Sequence, residues 1–85
     1  MGRLYSGNLN AHRNATLKLQ SLGFIVREVE FYSVESREHC MRIYLEDATG
    51  RPFMDKGFGH YDIDCLYISA TAWLDRMYDQ LKDWK

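Results

Sequence analysis

Residues 64–85 read DCLYISATAWLDRMYDQLKDWK, and this stretch decides the fold. Wound at about 100° per residue, Ala70, Trp73, Leu74, Met77, Leu81 and Trp84 fall on one helical face, with Ile63 just ahead of them. Asp75, Asp79 and Asp83 fall on a separate face, each one turn after the last. An apolar stripe this wide needs a surface to cover it, and the rest of the chain must supply one.

Upstream, residues 9–22 form a second amphipathic helix on the pattern Ala11, Ala15, Leu19 and Leu22, with Asn8 or Asn10 as its expected cap. Gly23 provides a left-handed stop, and Phe24 is placed to fold back in a Schellman motif. Leu17 lies off that face, where a monomer would give it nothing to pack on. Residues 24–34 are aromatic and β-branched and predict a strand. Its alternation is imperfect: Val29 and Phe31 oppose Glu28, Glu30 and Tyr32. After a polar loop at 33–38, residues 39–46 alternate cleanly, Met41, Ile43 and Leu45 against Cys40, Arg42, Tyr44 and Glu46. Residues 47–50 are a turn, and Pro52 starts a third strand through Phe58, which Gly57 and Gly59 are expected to break. Asp62 or Asp64 caps the last helix.

The chain is therefore expected to be an α+β domain of order α-β-β-β-α. Both helices pack on one face of a three-stranded antiparallel sheet. Trp73, Met77, Leu81, Leu19, Leu22, Met41, Ile43 and Leu45 should be buried together.

Composition narrows the function. Eighty-five residues, 46% hydrophobic and 14% aromatic, make one folded domain spanning 1–85. A domain this small buries roughly 60–65% of its unfolded surface, so a partner would add needed stability. The net charge is −1, with basic residues scattered along the chain, and nucleic-acid binders that rely on phosphate contacts are usually strongly basic. Residues 1–10 have no apolar leader core, no run reaches membrane-span length, and Cys40 and Cys65 read as free thiols. Together these predict a cytoplasmic protein. The Asn14-Ala15-Thr16 sequon falls inside a predicted helix and is read as chance.

The element order resembles that of double-stranded-RNA-binding domains and of small HicA-type toxins. The resemblance is topological and covers most of the chain. Where the RNA-binding family has lysines before its last helix, this chain reads Tyr61-Asp62-Ile63-Asp64-Cys65. HicA toxins place a histidine in a Gly-Ser-His context, whereas His39 follows Ser36-Arg37-Glu38. No functional residue transfers from either family.

His60, Asp62, Asp64 and Cys65 are the densest set of potential ligands, but they lack zinc spacing, and His39 and Cys40 must point to opposite faces of a strand. Nothing places a base beside a reactive thiolate, and Gly57-Phe58-Gly59 is too short for a phosphate loop. No metal, cofactor or catalytic residue is expected, and the chain is not expected to be an enzyme.

What remains is binding. Asp75, Asp79 and Asp83, with Ile68 in a small apolar patch beside them, suit a larger protein or complex with a basic surface. Tyr32, Tyr44 and Arg42 are candidates for a sheet-face interface. A homodimer would cover Leu17, Ile68 and the mixed faces of residues 24–34. The leading expectation is a small non-catalytic protein-binding module, of the kind phages and mobile elements encode as inhibitors of host complexes, anti-CRISPR proteins included. A nucleic-acid-binding domain ranks second, and a toxin or enzyme with a His/Cys site third.

Overall fold

The structure, a computed structural model, describes residues 3–83. Trp84, placed on the apolar stripe by its spacing, lies outside them. The elements follow the expected order: α1 (Ser6–Ser21), β1 (Ile25–Ser33), β2 (Glu38–Glu46), β3 (Pro52–His60) and α2 (Ile63–Leu81). The strands form one antiparallel sheet in the order β1-β2-β3, so β2 is central. Both helices pack on the same side of it, and among the described residues neither is long and apolar enough to cross a membrane.

The register fixes every side chain's face. Val26 pairs with Leu45, Glu28 with Ile43 and Glu30 with Met41, so these six point toward the helices. Met41, Ile43 and Leu45 are fully buried there against Leu66, Ala70, Trp73, Leu74, Met77 and Leu81 of α2 and Ala15 and Leu19 of α1. At about 25 cal/mol per Å² of apolar surface removed from water, this shared interior is the main source of stability. All the fully buried side chains of the sheet come from β2; at the matching positions β1 has Val26, Glu28 and Glu30 and β3 has Met54, Lys56 and Phe58, which lie toward the rim and are covered on one side only. Leu22 is only partly buried.

Three local expectations are corrected. Neither Asn8 nor Asn10 caps α1: its N-cap position is Tyr5, which makes no side-chain capping bond. Asn8 is drawn elsewhere, its Nδ2 donating to Asp64 Oδ1 at 2.9 Å, while the Tyr5 N–H donates to the same oxygen at 2.8 Å. The buried face of α1 is His12, Ala15 and Leu19, one position rotated from the expected stripe, and Ala11 is exposed. A polar residue on the inner face was the missing term in that reading.

Finally, β3 runs through both glycines to His60. Gly57 sits opposite Arg42, and a Cβ built there would meet Arg42 Nη1 at 2.5 Å. The glycine leaves room for a side chain lying across the strand rather than breaking it. Other signals read true. Gly23 has φ +100°, and the Gly23 and Phe24 N–H groups donate to the Gln20 and Leu19 carbonyls in a Schellman closure. Asp62 caps α2 by accepting from the Asp64 N–H at 2.9 Å.

Candidate partner-binding surface

Three surfaces are left when the core is removed: the outer face of α2, the uncovered face of the sheet, and the free edge of β1.

On α2, Ile68, Ala72, Asp75 and Asp79 follow one another at three- and four-residue steps, so they form a single outward stripe. Ile68 is 54% exposed, and with Asn8, Ala11, Thr71, Ala72 and Asp75 it lines a shallow depression of about 230 Å³ between the two helices. Asp83 follows just past the helix end and is exposed. Lys82 Nζ stands 3.6 Å from Asp79, a solvated pair that neutralises little of the stripe. The structure thus joins the apolar patch and the acidic residues into one continuous strip.

The sheet face is different. Tyr44 and Arg42 lie on its uncovered side, whereas Tyr32 pairs with His39 and points to the helix side. The expected grouping of Tyr32 with Tyr44 and Arg42 is therefore not made, because an even-numbered residue of β1 faces opposite to an even-numbered residue of β2 in this register. Arg42 donates from Nε and Nη2 to Asp55 Oδ2 at 2.9 and 2.6 Å, and Arg27 stands 3.5 Å from Glu46. Each arginine is matched by a carboxylate, so this face offers aromatic and apolar groups without a basic stripe to follow a nucleic-acid backbone.

The residue that the sequence reading overlooked is His12. It is 3% exposed, held under α1 against α2 and β1. Its Nε2 lies 2.6 Å from Glu28 Oε2, and its Nδ1 lies 3.2 Å from Thr71 Oγ1. A carboxylate only accepts, so Nε2 carries the proton and donates to Glu28. Tyr67 stands edge-on to the His12 ring at 5.0 Å, and its hydroxyl donates to Glu30 Oε1 at 2.6 Å. Burial, then the bond to Glu30 and the nearby charges of Glu30 and Glu28, push the Tyr67 phenol well above its ordinary range. The spacing of His12 with Ala15 and Leu19 was the available signal, since it puts the imidazole on the buried stripe.

This network has the geometry of a clip. The carboxylates accept from donors on the helices, and the hydroxyl beside the imidazole is Thr71 Oγ1, which meets Nδ1 while Glu28 holds Nε2. His60 and the acidic residues near it are likewise structural: the Asp62 N–H donates to His60 Nδ1 at 3.0 Å, and Asp64 is held by Asn8 and Tyr5. Those two donors lower the Asp64 carboxyl below its ordinary range. Among the described residues, no group of three or more His, Cys, Asp or Glu side chains converges as a metal site. Cys40 and Cys65 are free and half-buried.

With the fold and surfaces defined, the class is a small α+β protein of order α-β-β-β-α. The chain belongs to the bacteriophage T7-like gene 1.2 family, whose model matches residues 1–85. It is 47% identical over 85 residues to the protein named "Inhibitor of dGTPase" of Escherichia phage T7, covering all of both chains. It is 32% identical over 90 residues to the "Gene 1.2 protein" of Enterobacteria phage T3, covering all of this chain and 98% of that one. The expected phage connection stands at the level of the family. The anti-CRISPR comparison gains no support from these relatives.

Proposed function

We propose that this chain is a non-catalytic inhibitor of a dGTPase, acting by binding the enzyme. The observation that carries this reading is the 47% identity, end to end, with the T7 protein named for that inhibition. Physical chemistry supports it. An enzyme that takes dGTP must hold a triphosphate, so it needs basic groups around its substrate site. The strip formed by Asp75, Asp79, Asp83 and Ile68 offers the complementary charge with an apolar anchor beside it. The site of action we propose is the cytoplasm, where Cys40 and Cys65 remain thiols.

The residues behind the homodimer expectation lie on separate surfaces. Leu17 and β1 are at one edge of the molecule, and Ile68 is on the outer face of α2. We read them as surface for the enzyme rather than for a second copy.

The test is titration of purified host dGTPase with this protein while dGTP hydrolysis is followed. Activity should fall in proportion to inhibitor added and level off at a fixed molar ratio. Unchanged hydrolysis at a large excess of inhibitor would overturn the proposal.

A further inference from the structure

The edges of the sheet are treated unequally. β3 begins with Pro52, carries Lys56 and two glycines, and is offset by an irregularity opposite Leu45 and Glu46. These are the devices that keep an edge from recruiting another strand. β1 is guarded by charge alone, Arg27, Glu28 and Glu30: it is nine residues long, pairs with β2 without a bulge, and contains no proline or lysine. Among the described residues no strand pairs with its other side. Every second residue of β1 therefore turns its N–H and C=O outward.

Its side chains say what would pair there. On the uncovered sheet face Val29 is 51% and Phe31 53% exposed, an apolar row at the rim of the molecule. On the helix side the same strand presents Glu28 and Glu30. A groove of about 410 Å³ runs between this edge and α1, with Leu9, Leu17 and Val26 as its apolar wall and His12, Glu28 and Arg13 as its polar one. Leu17, 59% exposed and unexplained by the core, lines it. Glu28 accepts from His12 and Glu30 from Tyr67, and both side chains stay at the surface beside the apolar wall, so a cation on an alkyl stem suits this side of the edge.

We propose that β1 is a strand-addition site for an extended segment of the inhibited enzyme. That segment carries basic residues opposite Glu28 and Glu30 and apolar residues opposite Val29 and Phe31. Main-chain hydrogen bonds supply affinity and the alternating side chains supply selection. A lysine or arginine seated opposite Glu28 lays its stem along Leu17 and Val26. A second copy fits poorly in the registers that overlap most. Two β1 strands paired antiparallel with their helices on the same side must match residues of like parity. In the centred registers, where Glu28 or Glu30 faces itself or the two face each other, carboxylates meet across the strands, and like charges directly opposed are destabilising.

This inference rests on the enzyme-binding reading, and its test separates the two. Hydrogen exchange of the wild-type protein should show β1 amides protected on addition of host dGTPase. Leu17→Arg and Phe31→Glu, both at exposed positions, should keep the melting temperature and weaken enzyme binding by about tenfold or more. If the enzyme binds but β1 stays unprotected and both variants bind normally, the edge is not the site, although the protein still inhibits. If the enzyme does not bind at all, a synthetic heptapeptide of alternating lysine and valine decides the matter. Protection of β1 by that peptide, lost when its backbone is N-methylated or its lysines become glutamates, supports the site. Equal binding by the N-methylated peptide overturns it.

Discussion

Tyr67 of α2 and Glu30 of β1, 37 positions apart in the chain, are joined by a 2.6 Å hydrogen bond from phenol to carboxylate. The bond fastens the edge strand to the helix layer at a point where the strand has no apolar side chain to bury. It makes the stability of β1 depend on a protonated phenol.

Replacing Tyr67 with Phe should therefore cost about 1 kcal/mol, the value of a charge-assisted bond reduced for partial exposure. Urea unfolding at neutral pH measures it. The pH dependence has a definite sign. Because folding raises the phenol's pKa, the contribution is fully present below its ordinary value of 10.0 and is lost as pH climbs toward the raised one. Wild-type protein should lose more stability above pH 10 than the Y67F variant, and parallel losses would show that the phenol is not coupled to folding.

Asp64 acts at the other pH extreme. Its carboxylate, lowered by Asn8 and the Tyr5 N–H, favours the folded state above its ordinary value of 3.8. That help is lost as pH falls through the lowered one. In Asp64→Asn the start of α1 should fray, seen as faster exchange of the Tyr5 amide at neutral pH. Wild-type protein should approach the same exchange behaviour only in acid.

Gly57→Ala should be destabilising alone and close to neutral when Arg42 is also replaced by Ala. The added Cβ meets Arg42 Nη1, so the guanidinium must shift and its bonds to Asp55 are disturbed. Since the pair is solvated, the coupling should be modest, about 0.5–1 kcal/mol. A double-mutant cycle by thermal unfolding reads it, and strictly additive effects would remove the proposed clash.

Changing Asp75, Asp79 and Asp83 to Asn together should leave the fold intact or slightly stabilised, because like charges one turn apart repel and late-helix acids oppose the helix dipole. Enzyme binding should weaken, chiefly through slower association at low salt. Stopped-flow association at two ionic strengths checks this. Rates equal to wild type at both would make the stripe plain solvation.

The sequence made the architecture legible because several elements announced a boundary or a face, although the start of α1 and the end of β3 did not. Gly23 ended a helix, Asp62 began one, and Met41, Ile43 and Leu45 alternated without exception. The errors arose where a residue's partner was remote. Nothing near Gly57 reveals that Arg42 crosses it, and nothing near His12 reveals Glu28 waiting sixteen positions away. Tyr32 and Tyr44 were grouped by neighbouring charge, but their faces depend on a strand register that only the closed sheet defines. The acidic stripe and Ile68 needed only helical periodicity, and their placement was read correctly. The open edge of β1 is a property of topology, so no window of residues could display it.

The sheet hangs from its middle. Only β2 inserts fully buried side chains, while the outer strands add the partly buried Val26 and Phe58, so the outer strands open more cheaply than the centre. In the free protein this predicts cheap sub-global openings, and limited proteolysis should nick the connection at residues 34–37 ahead of either helix. A protein that is easiest to open along its outer strand becomes harder to digest once something is clamped there. Its lifetime inside an infected cell would then be set by how much of its target is present.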